Sequence, residues 1–460
     1  MCLLQRKGLS MSQPLRIESL HVKRLFGLYD HSLKLTDKRM TVIHGTNGVG
    51  KTVFLKLTHA FLRARFWEVF NTPFDSFEIY YSNQSAFKIS SILSDDKRVI
   101  QLSYTENGEM WSHPKTVLSI EQFNKLVRES TPYLAQIESN LWEDQRNGDI
   151  LSSEEVFMKT DLFNYRVAER VERENKEAFD FCRRINVHYI EAQRLFCFSK
   201  STRRRGITRS PYVDESFRPT SSTVLEYSDE LKSGLESALA SFGRRSQELD
   251  QSFPSRLLQE EDNTLSVDKL KCELDEIEKE RDRLKTLGIL DDSESTQRVI
   301  PSEVVPQKLD SLREKHGLFM IVYVKDTKEK LAVLREFSDK IDILLSILNR
   351  KFSRKKVSIS RQNGLVVRDE NNRIIPITAL SSGEQHEIVL LYDLLFKAKP
   401  NSLVLIDEPE LSLHLEWQKS FMDDMLRIIE LSKLDILMAT HSPYIVGDHT
   451  ETLVEFSAMA

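Results

Sequence analysis

Cysteine is scarce in this chain of 460 residues. Its four cysteines are scattered, at Cys2, Cys182, Cys197 and Cys272, with no CxxC pair and no metal-ligand spacing. That usage argues against a disulfide framework and is typical of a reducing compartment. We therefore expect a cytoplasmic protein.

Long apolar runs are lacking as well. No stretch approaches the roughly 20 apolar residues that a membrane span needs, so no membrane association is expected. The N-terminal sequence "MCLLQRKGLSMSQPLRI" has no apolar core of a signal peptide. We expect residues 1–14 to be disordered, with Met11 as an alternative start to Met1.

A large excess of charge of one sign is also missing. The formal net charge is −5, from 65 Lys and Arg against 70 Asp and Glu. This balance argues against a general coat for nucleic acid, although a local basic patch stays open. The length allows two or three domains.

What is present is an alternation of strand and helix patterns. Apolar alternation predicts two strands within 15–35 and a buried strand at Met40–His44, followed by a helix. Residues 132–177 look charged and helix-forming, and the last eighty residues form a dense α/β pattern. Further strands are predicted at Phe77–Ser82, Arg98–Thr105, Ile185–Leu195, Val357–Ser360, Leu365–Arg368 and Arg373–Ile377, and helices over 225–290 and up to about Phe352.

The segment "TVIHGTNGVGKT" carries the strongest chemical signal. Residues 45–52 fit G-x-x-x-x-G-K-[ST] between a predicted strand and a predicted helix, the context in which this motif cradles phosphates. Glycines let backbone N–H groups turn inward, and the helix N-terminus adds positive potential. Lys51 would reach the β- and γ-phosphates, and the Thr52 hydroxyl would ligate Mg²⁺. The alternative is a chance glycine-rich turn.

A second signal is "NSLVLIDEPELSLH", a buried strand that ends in Asp407 and Glu408. Two adjacent acids at such a position are costly to bury without a cation or a partner. Asp407 would hold Mg²⁺, and Glu408 would act as a general base towards water. Acids in a solvated loop after an edge strand are the alternative.

Two further segments gain meaning from their position. In "ALSSGEQHEIVLLYDLL", Ser381, Ser382 and Gly383 precede an apolar helix, which alone indicates an ordinary capped N-terminus. In "ILMATHSPYIV", His441 follows a buried strand. A lone histidine there is usually structural, but it lies where a γ-phosphate sensor would be.

Together the four segments resemble the ABC-type ATPase head of SMC, Rad50, RecF and the "overcoming lysogenization defect" proteins. "LSSGEQ" resembles the signature, "DEPELSLH" the Walker B motif with its D-loop, "THSP" the switch loop and "YIEAQR" the segment of the Q-loop glutamine, Gln193. The resemblance implies that ATP and Mg²⁺ are sandwiched between two heads. It implies as nucleotide-binding residues Gly45, Thr46, Asn47, Gly48, Val49, Gly50, Lys51, Thr52, Ser381, Ser382, Gly383 and Glu384, as catalytic residues Glu408, His441 and Gln193, and as metal ligands Thr52, Asp407 and Gln193.

The same resemblance predicts the fold class and the domains. The fold would be α/β, an ABC-ATPase head with a mixed P-loop sheet, an antiparallel β lobe and a mainly helical insertion. The predicted segments are the N-terminal lobe 15–131, a helical insertion 132–184, the Q-loop strand 185–198, a basic loop and helical arm 199–335, and the C-terminal lobe 336–460.

A head with a short helical insertion resembles the ATPase subunits of bacterial anti-phage systems, most of all the AriA family of PARIS and next the PtuA family of Septu. "ALSSGEQHEIVLLYDLLF" and "VHYIEAQRL" carry this resemblance. It implies a slow ATPase, a homo-oligomer that holds a separate Toprim-type nuclease and releases it on sensing a phage protein. We expect no Toprim domain in this chain, because it ends about twenty residues after His441. The alternatives are a RecF-like DNA-repair ATPase, a partner of an HNH nuclease and an inactive scaffold.

Three features stay open. The basic run Arg203–Arg205, with Lys200 and Arg209, would contact an acidic partner or nucleic acid, or be merely solvated. A stripe from Leu270 to Leu287 would pack on its own helical neighbour or on another subunit. Phe26, with Arg24 and Tyr29, would line an adenine pocket or pack the N-terminal sheet.

Overall fold

A computed structural model describes most of the chain. The described residues are 15–63, 69, 72–94, 97–106, 109–112, 118–119, 128–129, 133–138, 141–152, 156, 180, 182–191, 223–259, 267–290 and 306–456. The chain divides into two compact units. The first comprises residues 1–192, 398–411 and 418–460, and the second comprises 193–397 and 412–417.

The first unit holds most of the strands. They are β1 (Ile17–Leu25), β2 (Tyr29–Lys34), β3 (Met40–Gly45), β4 (Ser76–Tyr81), β5 (Ala86–Ser94), β6 (Lys97–Glu106), β7 (Glu109–Ser112), β8 (Leu118–Ser119), β9 (Leu134–Glu138), β10 (Leu141–Asp144), β11 (Asp149–Ser152), β12 (Val187–Ile190), and, later in the chain, Leu403–Asp407, Asp435–Ala439 and Leu453–Phe456. Helix α1 (Lys51–Leu62) follows β3 directly.

The second unit is mainly helical. Its helices are α2 (Thr223–Gln259), α3 (Val267–Thr286), α4 (Pro306–Lys351) and α5 (Ser382–Tyr392), and its strands are β13 (Lys355–Ser360), β14 (Gly364–Asp369) and β15 (Ile374–Ile375). The later strands of the first unit are therefore β16 (Leu403–Asp407), β17 (Asp435–Ala439) and β18 (Leu453–Phe456). The remaining helices are α6 (Leu415–Lys419), α7 (Phe421–Ser432) and α8 (Pro443–Val446).

A five-stranded parallel sheet forms the centre of the first unit. Its order is β12-β16-β17-β3-β18, and every pair in it is parallel. Strands β16 and β17 are buried along their whole length, as expected for a parallel sheet that is covered on both faces. Because the strands are parallel, the segments that follow β3, β16 and β17 emerge at one edge.

An antiparallel sheet of seven strands accompanies it. Six strands follow the order β2-β1-β4-β5-β6-β7, and β8 pairs with β6. Aromatic rings from α1 and from this sheet meet in the core, where Phe61 lies 5.5 Å from Phe77 and 4.8 Å from Phe87. The predicted strands of this lobe are observed, with bounds shifted by one or two residues.

The helical character predicted for 132–177 is wrong for its described N-terminal part. Strands β9, β10 and β11 form a three-stranded antiparallel sheet there. Trp142 is fully buried and pairs with Leu151 across β10 and β11. The turn between these two strands contains Gly148, which has φ 75°. The Asn147-Gly148 pair is a hairpin signal, and the charged residues around it conceal the alternation. The domain boundaries themselves stay a prediction.

In the helical unit, α2 and α4 pack against each other in opposite directions. The contacts Gly234–Phe337, Arg245–Glu329 and Phe253–Phe319 show this order, since the α4 partner number falls as the α2 number rises. Helix α3 packs on α4 as well. The stripe from Leu270 to Leu287 is largely buried, so its packing is against a helix of its own chain.

Three predicted features lie outside the described residues: the N-terminal segment 1–14, Gln193 and the basic run Arg203–Arg205 with Lys200 and Arg209. Among the helices that the structure describes, none is both long enough and apolar enough to cross a membrane.

Candidate nucleotide-binding site

The ends of three neighbouring parallel strands bring the site together. The glycine-rich loop follows β3, Glu408 follows β16, and His441 lies two residues after β17. Backbone hydrogen bonds join these ends, from Glu408 N to Ala439 O at 2.9 Å and from Thr440 N to Ile43 O at 3.1 Å. Three segments that lie far apart in sequence thus share one cavity.

The glycine-rich loop has the backbone that its sequence requires. Gly48 and Gly50 have φ 87° and 90°, a region that glycine enters without steric cost. A Cβ on Gly45 would come within 2.5 Å of the Phe456 carbonyl oxygen, so this position leaves no room for a side chain. Helix α1 begins at Lys51, which directs its first N–H groups towards the loop.

Lys51 lies within this loop and is buried. Its ammonium donates to the carbonyl oxygens of Gly45 at 2.7 Å and Thr46 at 3.0 Å, and to His441 Nδ1 at 3.2 Å. Burial lowers the pKa of Lys51, and the nearby Glu408, Glu410 and Asp407 oppose that shift. The Lys51 ammonium therefore contacts the loop and lies near the acids that follow β16.

Thr52 and Asp407 form an oxygen pair beside it. The Thr52 hydroxyl donates to Asp407 Oδ1 at 3.1 Å, and Tyr189 donates to Oδ2 at 3.3 Å. Burial raises the pKa of Asp407, and the charge of Glu408 adds to the rise, while the hydrogen bonds from Thr52 and Tyr189 oppose it. A hydroxyl and a carboxylate at this distance are ligands that suit Mg²⁺.

Glu408 and His441 face each other across the cavity. His441 Nδ1 accepts from Lys51, so its proton lies on Nε2, which is 3.6 Å from Glu408 Oε1. Glu408 has φ 44°, a left-handed conformation that is rare for a residue with a side chain. Such strain at a strand end is characteristic of functional positions.

A third acid, Glu410, was not singled out from the sequence. Its Oε1 accepts the backbone N–H of His441 at 2.5 Å, and its Oε2 is buried with no hydrogen-bond partner among the described residues. Tyr189 was missed as well. The signals were the second glutamate in "DEPE" and a hydroxyl-bearing residue at the end of β12, but neither shows its partner in the sequence.

The cavity has a volume of about 640 Å³. Phosphate-loop residues, Glu408, Glu410 and His441 line it, and so do the exposed apolar side chains Phe26 and Leu411. Of the three residues considered for an adenine pocket, only Phe26 is among its lining residues. Tyr29 stacks on His31 at 5.9 Å, and Arg24 faces Asp75 at 3.6 Å.

The segment with Ser381, Ser382 and Gly383 lies at the N-terminus of α5, in the helical unit. Ser381 and Glu384 form a capping box, in which the Ser381 hydroxyl accepts the Glu384 N–H at 3.3 Å and the Glu384 carboxylate accepts the Ser381 N–H at 2.9 Å. Burial alone would raise the pKa of Glu384, but hydrogen bonds from Lys355 and Ser381 lower it. Ser381 and Ser382 are exposed, so this helix end faces solvent.

The fold and the site define a P-loop ATPase of the α/β class. The chain belongs to the AAA ATPase domain family, whose sequence profile matches residues 16–446. Membership of this family implies that ATP is bound. The predicted fold class is confirmed as α/β, with a P-loop core, an antiparallel lobe and a mainly helical part. The P-loop sheet was predicted to be mixed, and its described strands pair only in parallel.

Solved structures with similarity to this chain include SMC heads. One is the Smc head domain with an extended coiled coil bound to the C-terminal domain of ScpA from Pyrococcus furiosus (15% identity, 97% of this chain and 94% of that chain, TM-score 0.38). Another is the SMC head domain from Thermotoga maritima (11% identity, 96% and 94%, TM-score 0.31). TM-scores this low carry no argument about function. No match was found among curated proteins.

Proposed function

We propose that this chain binds Mg²⁺-ATP and hydrolyses it, and that two copies close on the nucleotide in the manner of an ABC-type head. The observation that supports this most directly is that Lys51, Thr52, Glu408 and His441 line one cavity. Asp407 lies beside it, hydrogen-bonded to Thr52. No single strand end would bind and activate a triphosphate, but the three together offer a cradle, a cation site and a base.

Each residue has a distinct task in this proposal. Lys51 would exchange its carbonyl partners for the β- and γ-phosphates, and Thr52 and Asp407 would hold magnesium. Bound magnesium neutralises charge on the phosphate oxygens. Glu408 would take the proton of the attacking water, and His441 would donate from Nε2–H to the γ-phosphate. Gln193 is proposed as a further magnesium and water ligand from its motif alone.

The exposed N-terminus of α5 completes the site from a second copy. The first N–H groups of a helix have no carbonyl partner within the helix, and the helix dipole favours an anion there. Ser381, Ser382 and Gly383 of one copy would therefore bind the γ-phosphate held by Lys51 of the other. ATP then joins the copies, and hydrolysis releases them.

Titration with Mg²⁺-ATP tests the binding step. Lys51→Ala should weaken ATP binding at least about tenfold, because the charge-assisted contact to the phosphates is lost. Lys38→Ala is the matched control, since Lys38 is exposed and pairs with Glu451 at the surface. Equal affinity of the Lys51 variant and the parent would contradict the site. For the second copy, native mass spectrometry of Glu408→Gln should show an ATP-dependent doubling of mass that Ser382→Arg removes.

We further propose that this ATPase serves an anti-phage defence complex, in which a homo-oligomer holds a separate Toprim-type nuclease until a phage protein releases it. The support is the resemblance of the segments around Gln193 and Ser381. Co-purification with the product of the neighbouring gene tests it, with the mass of the complex measured. A Toprim nuclease supports the proposal, an HNH nuclease indicates the PtuA-like alternative, and binding to duplex DNA without a nuclease indicates the RecF-like one.

A further inference from the structure

His31 lies on β2 and is only 4% exposed. Its ring stacks on Phe456 at 4.0 Å with an interplanar angle of 8°, and on Tyr29 at 5.9 Å and 10°. The sequence gives this histidine no role, since it belongs to none of the nucleotide motifs. A polar ring at this depth needs a hydrogen-bond partner.

That partner belongs to the phosphate-binding loop. His31 Nε2 lies 2.7 Å from the carbonyl oxygen of Val49, which belongs to the phosphate-binding loop 45–52. A carbonyl oxygen only accepts, so Nε2 carries the proton. Burial lowers the pKa of His31. The bond therefore belongs to a neutral ring with a fixed tautomer.

This bond fixes a peptide plane at the cavity. The Val49–Gly50 peptide is trans, so the Val49 C=O and the Gly50 N–H point in opposite directions. With the carbonyl held by His31, the Gly50 N–H is directed away from it. Val49 is 2% exposed, whereas Gly50 lines the cavity. A phosphate loop works only if its N–H groups turn inward and its outward carbonyls find partners elsewhere.

Gly50 makes this control necessary. Gly50 has φ 90° and lacks the side chain that would restrict its backbone. The Val49–Gly50 peptide can therefore rotate at low cost. If it rotated, the loop would present a carbonyl oxygen where a phosphate needs a donor. The side chain of β2 supplies the restraint that the loop sequence itself lacks.

We propose that His31 is a positioning residue for nucleotide binding, which orients the Val49–Gly50 peptide so that the Gly50 N–H is available to a phosphate oxygen. This inference rests on the proposed function of the loop as an ATP site. It assigns to β2, a strand outside the parallel sheet, a part in phosphate recognition.

Two variants with opposite defects separate the hydrogen bond from the stacking. His31→Phe keeps an aromatic ring in the stack but loses the donor, and His31→Gln loses the ring but keeps an N–H near the Nε2 position. Titration with Mg²⁺-ATP should show about a tenfold higher Kd for His31→Phe, which corresponds to about 1.4 kcal/mol. The Kd of His31→Gln should stay within about threefold of the parent, as expected when a neutral hydrogen bond is largely kept.

The reverse order would overturn the proposal, since a purely structural ring tolerates Phe better than Gln. Phe456→Leu provides a second check, because it removes the stacked ring and leaves the donor. Its melting temperature should fall while its Kd stays near that of the parent. A tenfold loss of affinity in Phe456→Leu, or an unchanged Kd in His31→Phe, would also overturn the assignment.

His21→Phe is the matched control. His21 lies on the adjacent strand β1 and bonds to Ser19 and Ser32, not to the loop, so its Kd should equal that of the parent. If the parent itself fails to bind Mg²⁺-ATP, the proposed function falls and the role of His31 falls with it. If the parent binds and Lys51→Ala does not, the His31 result tests this inference alone.

Discussion

The site of the phosphate-loop unit and helix α5 of the helical unit differ in how their charged side chains are paired. In the first, Asp407, Glu408 and Glu410 gather around one lysine of the loop, Lys51. In the second, the acids of α5 each have their own lysine, Glu384 with Lys355 at 2.7 Å and Glu387 with the fully buried Lys351. The site of the first unit has an excess of carboxylates, whereas the acids of α5 are balanced pair by pair.

This difference indicates where a ligand is needed. Crowded carboxylates at the end of a buried strand destabilise the free protein, and a divalent cation would relieve their repulsion. The paired acids of α5 need no ligand and hold the helix in place. We therefore expect substitution of the acids around Lys51 to change ATP chemistry, and substitution of the paired charges of α5 to change stability.

Glu408→Gln is the variant with the largest expected effect. Loss of the general base should lower turnover by about a hundredfold to ten-thousandfold, while ATP binding survives because Lys51 and Asp407 are unchanged. Phosphate release and nucleotide titration measure the two quantities. Glu410→Gln is the control, since its amide oxygen can still accept the His441 N–H, and its turnover should stay within about tenfold. Parental turnover in the Glu408 variant would remove this residue from catalysis.

Lys351→Met should give the largest loss of stability. It leaves the buried carboxylate of Glu387 uncompensated, and breaking such a pair lowers the free energy of unfolding by about 3–5 kcal/mol. Denaturant unfolding measures the change. The double variant Lys351→Met with Glu387→Met should recover most of it, since an apolar pair can replace a buried ion pair. No recovery in the double variant would mean that the loss comes from packing and not from charge.

Asp407→Asn should raise the stability of the free protein and abolish the effect of magnesium on ATP affinity. The pKa of Asp407 is raised in the folded protein, so its contribution to stability is present at low pH and is lost as pH rises through the folded pKa. A neutral amide escapes that loss, and the melting temperature without nucleotide should rise by up to a few degrees at neutral pH.

The same variant should lose the effect of magnesium on ATP affinity. Thermal melts with and without MgCl₂ and ATP measure both quantities. Thr52→Val keeps the carboxylate and is the comparison, since it should weaken the magnesium effect without the gain in stability. A lower melting temperature in Asp407→Asn would contradict the inference that the charged carboxylate of Asp407 destabilises the fold at neutral pH.

Ser381→Ala should have the smallest of these effects. It removes the hydroxyl of the capping box and should lower the free energy of unfolding by about 1 kcal/mol. Ser381→Thr should restore most of the loss, and Ser382→Ala should change it by less than about 0.5 kcal/mol. Equal losses in Ser381→Ala and Ser382→Ala would show that the cap is not what stabilises α5.

Local patterns predicted much of the fold. The apolar strands β3, β16 and β17, the glycine-rich loop and α1 all follow from residues close together in the sequence. The sheet β9–β11 was missed because a hairpin depends on pairing across its turn, and its alternation is hidden among charged residues. The structure brings Lys51, Thr52, Asp407, Glu408 and His441 together at the strand ends, while the roles assigned to these residues and to Gln193 stay predictions.

The sequence by itself determined that a phosphate-binding loop follows a buried strand and that two acids follow another, because these are short-range patterns of glycine, charge and apolar residues. Only the tertiary structure decided which side chains meet that loop. Tyr189 and Asp407 are 218 positions apart in the sequence, and Glu410 and His441 are 31 apart. His31 contacts Val49 of the loop from a strand of the antiparallel sheet. These contacts depend on the order in which strands lie side by side, and that order is fixed by packing of the whole core and not by any local segment.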